Sequence, residues 1–230
     1  PSPGRRRHPL KLDAIIFDFD GTLADVSLDF DFMKTKIAAL GEVFMDERPV
    51  PDGTPALEWL DRLSAQVMER NRDEGMEFLS RGRLVIAAME LDAARDGCLY
   101  EFTRPVLDDL KARGVAAGVI SRNISAAIKK VFPDIEDHLG AFLPRESSDR
   151  LKPDPAHLLL ALERIGVPPE RALMVGDHPM DVETGKRAGT LAAGVTTGGT
   201  KARGFAHLDP DFVATDVAAL MGELKRTGLI

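Results

Sequence analysis

The hydrophobic positions change period along this chain, and each change marks a boundary. Leu12 to Phe17 is a short, largely apolar run, the pattern of a buried strand. From residue 24 to about 100 the apolar residues recur at helical spacing instead. Phe30, Met33, Ile37 and Leu40 predict one helix, and Leu57, Leu60, Leu63 and Val67 a second. Thr54 followed by Pro55 offers that second helix an N-cap and a first helical residue. Leu84, Ala88 and Leu91 suggest a third. These stripes read as packing faces and carry no chemistry. The segment is long for a crossover between neighbouring strands. A helical domain over 24–100 is therefore expected, inserted into a core made of 1–23 and 101–230.

From residue 103 strands alternate with helices. Pro105 opens a helix that Gly114 ends, and Val115 to Ile120 is a strand that closes on Ser121. A helix through Ile128 and Val131 stops before Pro133, and Ala141 to Leu143 is a short strand. Asp154 and Pro155 start a helix carrying Leu158, Leu159, Leu162 and Ile165, which ends at Gly166. Strands follow at Ala172 to Val175 and Leu191 to Val195. Phe212 to Ala214 reads as a small edge strand, with a last helix capped at Asp216. Alternation of this kind gives an α/β, Rossmann-like parallel sheet with helices on both faces.

Composition changes this picture little. The 230 residues carry 44% hydrophobic and 29% charged side chains, as an ordinary globular protein does. The net charge of −7 weighs against nucleic acid or an acidic membrane surface as partner. No apolar run approaches the roughly 18 residues of a membrane span, and a cytoplasmic location is the default expectation. Arg5, Arg6 and Arg7 sit in a Pro-containing opening segment that reads as a solvated tail. The single cysteine, Cys98, excludes an intrachain disulfide and reads as a small packing residue.

Candidate chemistry gathers where strands end. Asp18 and Asp20 follow the first strand at i and i+2, so both acids face one side, and Gly21 lets the backbone turn away. A carboxylate nucleophile beside a second carboxyl suits the making and breaking of an aspartyl-phosphate. Ser121-Arg122-Asn123 closes the second strand, where a hydroxyl and helix-starting N–H groups can hold phosphate oxygens or simply cap a helix. Lys152, in Lys152-Pro153-Asp154-Pro155, is a point charge able to steady a phosphoryl oxygen, or else a solvated lysine before a helix. Asp177 and Asp181 stand at i and i+4 where a helix begins. Hard carboxylate oxygens there suit Mg²⁺, while acids in a first helical turn also answer the helix dipole. His178, between them, reads as a rim or loop residue.

Taken in this order, the four clusters resemble the motifs of the haloacid dehalogenase-like superfamily, and in particular its phosphoglycolate-phosphatase-like branch with a helical cap between the first two motifs. The resemblance runs from Leu12 to the C-terminus. It implies a sheet in the order 3-2-1-4-5 with the first strand central. It further implies Asp18 as nucleophile, Asp20 as general acid and base, Ser121 as phosphate-binding hydroxyl and Lys152 as motif lysine. Metal ligands would be Asp18, Asp177, a supporting Asp181 and the main-chain carbonyl of Asp20. Arg122 and Asn123 are further candidates for contact with substrate or phosphate.

The expected activity is Mg²⁺-dependent hydrolysis of a small phosphorylated metabolite, since a cap of this size is expected to close over the site. Asp20 favours phosphoryl chemistry over carbon–halogen hydrolysis, whose enzymes in this family typically lack that second acid. An imine-forming phosphonate hydrolase would need a cap lysine, and Lys34 and Lys36 read as solvent-facing. A sugar-phosphate mutase is the enzymatic alternative. A non-catalytic phospho-accepting or binding module is the other, set against the intact group Asp18, Asp20, Lys152 and Asp177. Arg81 and Arg83 are candidates to meet a substrate carboxylate. Thr103-Arg104-Pro105 replaces the Pro-Gly that relatives often carry, which weighs against phosphoglycolate itself. Either a monomer or a homodimer is compatible with the sequence.

Overall fold

The computed structural model describes residues 11–230; the arginine-bearing opening segment lies outside them. In chain order the elements are β1 (Ala14–Phe17), β2 (Ala24–Asp25), α1 (Phe30–Gly41), α2 (Ala56–Arg70), α3 (Arg72–Asp96), β3 (Cys98–Leu99), α4 (Thr103–Ala112) and β4 (Ala116–Ile120). They continue with α5 (Ser125–Val131), α6 (Ile135–His138), β5 (Ala141–Leu143), α7 (Pro155–Ile165), β6 (Ala172–Gly176), α8 (Pro179–Ala188), β7 (Leu191–Val195), β8 (Phe212–Ala214) and α9 (Val217–Thr227). The chain forms two compact units. One takes it up to Val26 and again from Gly97 to Ile230; the other is Ser27–Asp96.

The first unit is built on a six-stranded, wholly parallel sheet in the order β5-β4-β1-β6-β7-β8. Counting only these strands in chain order gives 3-2-1-4-5, the order that the resemblance implies, with β8 as a sixth strand at the edge. Side chains of β1 alternate between two apolar layers. Ile15 and Phe17 join Val106, Leu107 and Leu110 of α4 and Leu220 and Leu224 of α9. Ala14 and Ile16 join Leu158, Ala161 and Leu162 of α7 on the other face. Both layers are needed because a parallel strand with crossover helices is buried on both sides. β1 is completely buried, which explains its unbroken apolar run.

Local signals set most boundaries here. Asp154 caps α7 by accepting from Ala156 N, and Gly166 ends it in the left-handed conformation. Asp216 caps α9 by accepting from Ala219 N. α4 begins at Thr103, two residues before Pro105, so the proline falls within its first turn. Cys98 corrects the packing expectation: it lies on β3, a two-residue strand antiparallel to β2, and its side chain is exposed.

The second unit, Ser27–Asp96, is three helices around Met33, Ile37, Trp59, Leu60, Leu63, Val67, Phe78 and Ile86. Two of its expected stripes need correction. Phe30 is exposed at the start of α1, whose buried face keeps the expected Met33 and Ile37 and adds Ala38. Leu84 is 70% exposed, because α3 turns Gly75, Phe78, Gly82 and Ile86 inward. α2 starts at Ala56 with Pro55 at its N-cap, and Thr54 makes no capping bond; its hydroxyl accepts from Arg62. Arg81 pairs with Glu77 and Arg83 with Asp61 within this unit. Lys34 donates to the Asp52 carbonyl, and Lys36 lies over the Phe32 ring.

Candidate active site

The parallel register brings the sequence-predicted residues to one edge of the sheet. Phe17 stands opposite both Val119 and Val175, so Asp18, Ser121 and Asp177 all emerge one or two residues beyond that line. This carboxyl edge is where open α/β sheets bind ligands. Asp18 is anchored through its N–H to the Val175 carbonyl at 2.8 Å. The chain then turns tightly: the Phe19 carbonyl accepts from the N–H groups of Thr22, Leu23 and Ala24, and Gly21 takes a φ of +75°. Only glycine adopts that conformation readily.

Three carboxylates, Asp18, Asp177 and Asp181, place one oxygen each within 4.8 Å of one another. Lys152 enters between two of them. Its Nζ donates to Asp18 Oδ1 and to Asp181 Oδ1, each at 2.7 Å, with the lysine side chain only 3% exposed. Asp181 belongs to the first turn of α8 and forms a capping box with His178: its Oδ2 accepts from His178 N, and His178 Nδ1 accepts from Met180 N. His178 is thus a helix cap.

Electrostatics follow from crowding acids away from water. Burial is the first cause that raises Asp18, opposed by Lys152 and reinforced by Asp181. Burial alone would lower Lys152, but Asp18 and Asp181 overcome it and hold the ammonium charged. Asp177 is pushed up to about 8, by burial first and then by Asp18 and Asp181. Fully ionised, the three acids would outnumber the single lysine charge by two, which is why the cluster holds on to protons in place of further positive charge. Clustered hard oxygen donors with uncompensated charge fit a divalent cation.

The second and third clusters hold the rim. Ser121 is buried at the end of β4, its N–H on the Leu143 carbonyl and its Oγ accepting from Asn123 N at 3.0 Å. Arg122 donates to the Lys152 carbonyl at 3.0 Å, tying the loops after β4 and β5 together. Asn123 is also buried, with Nδ2 3.1 Å from Asp20 Oδ2. His157, on α7, is completely buried; its Nε2 lies 3.1 Å from the Leu143 carbonyl and so carries the proton. Burial first, then the Lys152 charge, pushes its pKa down to about 4.

One part of the site escaped the sequence reading. The loop after β7 presses Gly198 against Asp177, and a Cβ there would collide with the carboxylate. Gly21 packs on the same carboxylate, where a Cβ would come within 2.5 Å of Oδ2. Thr197 Oγ1 donates to the Gly21 carbonyl at 2.5 Å, and Thr22 Oγ1 lies 3.4 Å from Asp177 Oδ1. The signal was Thr196-Thr197-Gly198-Gly199 directly after a buried strand, a turn-forming run at the same sheet edge.

A family model described as haloacid dehalogenase-like hydrolase matches residues 12–189. Pyrophosphatase PpaX of Bacillus velezensis is 28% identical over 218 residues, covering 92% of this chain and 95% of that protein. Phosphoglycolate phosphatase of Aquifex aeolicus is 28% identical over 192 residues, 78% of this chain and 82% of that one. The β-phosphoglucomutase structure from Clostridium difficile shares the fold at a TM-score of 0.68 and 16% identity, covering 94% of this chain and 96% of that one. Among the described residues, no helix is long and apolar enough to cross a membrane.

Proposed function

Since the chain belongs to the haloacid dehalogenase-like hydrolase family and is one of its phosphatases, we propose that it hydrolyses a small phosphomonoester through an aspartyl-phosphate on Asp18, with Mg²⁺ as its metal. The observation that carries this reading is the buried Lys152 ammonium, 2.7 Å from both Asp18 and Asp181, inside a cluster that also holds Asp177. Relatives named for phosphoglycolate and for N-acetylmuramic acid 6-phosphate support a small phosphorylated metabolite as substrate.

Asp18 attacks phosphorus with a carboxylate oxygen as the bond from phosphorus to the leaving oxygen breaks. Asp20 gives its proton to that oxygen, so an alcohol departs instead of an alkoxide. Asp20, now a carboxylate, takes a proton from water; the water oxygen attacks phosphorus and the bond to Asp18 breaks, releasing phosphate. Lys152 and the Ser121 hydroxyl stabilise charge on the transferring oxygens. Mg²⁺, held by Asp18, Asp177, Asp181 and the Asp20 carbonyl, would offset the repulsion between a carboxylate and a phosphate dianion. Acid–base assistance of this kind contributes about 10²- to 10⁴-fold.

Turnover of p-nitrophenyl phosphate in the presence of Mg²⁺ is the first measurement. Asp18→Asn, which keeps the shape and removes the nucleophile, is expected to lower turnover by at least about 10³-fold with an unchanged circular dichroism spectrum. Retention of most of the rate would defeat the covalent route. A screen of phosphorylated acids, sugars and nucleotides then selects the natural ester.

A further inference from the structure

The side chain of Asn123 has both of its polar ends accounted for. Its Oδ1 accepts from the N–H of Ile124 at 2.7 Å. That contact fixes the amide orientation, because an NH₂ group in the same place would oppose a donor. The Nδ2 group must therefore point the other way, and it lies 3.1 Å from Asp20 Oδ2 and 3.3 Å from Oδ1. The backbone of Asn123 is committed too: its N–H donates to Ser121 Oγ at 3.0 Å and its carbonyl accepts from Arg145 N at 3.0 Å. The residue is 5% exposed. A buried amide fixed at three atoms and aimed with its fourth at a carboxylate is a support for that carboxylate.

On the reading that Asp20 is the general acid, we infer that Asn123 is a positioning residue that holds the Asp20 carboxyl in register with the leaving-group oxygen, instead of a direct ligand of phosphate. The physical reason is geometric. Asp20 lies in the tight turn after β1, on a short side chain whose carboxyl rotates about one terminal bond. Loosening that rotation misdirects the proton it delivers, and misplacement of about 1 Å can lower a rate 10²-fold. Asn123 thereby contributes to the first chemical step without touching substrate.

Leaving groups separate the roles. A positioned acid matters most for an oxygen that leaves poorly, and kcat/KM reports the steps up to departure of the alcohol. Asn123→Asp is isosteric but exchanges the Nδ2 donor for an oxygen; Asn123→Ala removes the amide altogether. For both variants kcat/KM with phenyl phosphate is expected to fall at least about tenfold further than kcat/KM with p-nitrophenyl phosphate. Equal losses on the two esters would mean that Asn123 acts on phosphate or on the fold, and would overturn the inference. So would unchanged rates on both. If the wild-type protein hydrolyses neither ester nor any of the screened phosphates, the failure belongs to the phosphatase reading itself.

Discussion

Burial of His157 on α7 leaves its imidazole neutral, with Nε2–H donated to the Leu143 carbonyl and its pKa pushed down to about 4. In the unfolded chain the same ring takes its proton near pH 6.5. Between those values the unfolded state binds more protons, so stability falls as pH drops through that window and the loss levels off below it. From about pH 8 to about pH 5 this one group removes about 2 kcal/mol. His157→Gln keeps a donor but does not titrate. Urea unfolding at the two pH values should show the wild type losing about 2 kcal/mol more than the variant; parallel losses would contradict the assignment. At this scale the candidate site was largely legible as a place, because Asp18, Ser121 and Asp177 each stand directly beyond an apolar strand. Gly198 was not, since its contribution is the absence of a side chain beside Asp177. Nor was the aim of Asn123, which depends on an N–H one residue ahead of it.

Helix packing decides what the spacing of apolar residues alone cannot. In α3, Leu84, Ala88 and Leu91 form a valid helical stripe, yet the buried face is Gly75, Phe78, Gly82 and Ile86. Small residues let α2 approach. A Cβ on Gly82 would come within 2.7 Å of Leu60 Cδ2, and Leu60 is itself completely buried. A count of hydrophobic residues gives glycine no weight and so selects the wrong face. By contrast, the α7 and α9 boundaries were legible because their caps are local bonds that depend on nothing distant. Two glycines test the distinction. Gly222, exposed within α9, has nothing within 4 Å of a built Cβ, so Gly222→Ala should stabilise by about 0.5–1 kcal/mol through backbone propensity. Gly82→Ala has the same propensity gain but must displace Leu60 from a packed core, at about 1–3 kcal/mol. Chemical denaturation should find Gly222→Ala more stable than wild type and Gly82→Ala less; a stabilising Gly82→Ala would mean that the α2–α3 contact yields easily.

For the molecule as a whole, the proposed metal links activity to folding. The net charge of −7 is spread over 37 acidic and 30 basic residues. Three of those acids are brought within 4.8 Å of each other only by folding, from chain positions as far apart as 18 and 181. The unfolded chain has no such cluster, so a cation that binds it stabilises the native state by mass action. At Mg²⁺ about a hundredfold above its dissociation constant the gain is about 2.7 kcal/mol. In a chain of this length that is a rise of about 5–10 °C in the melting midpoint. Asp177→Asn leaves the sheet unaltered and removes one ionisable ligand, so its midpoint should be nearly indifferent to MgCl₂. Sodium chloride at matched ionic strength separates ion binding from general screening of the acidic surface. A wild-type shift reproduced by sodium chloride, or a full shift retained in Asp177→Asn, would mean that the acidic cluster is held by Lys152 alone and needs no metal to complete it.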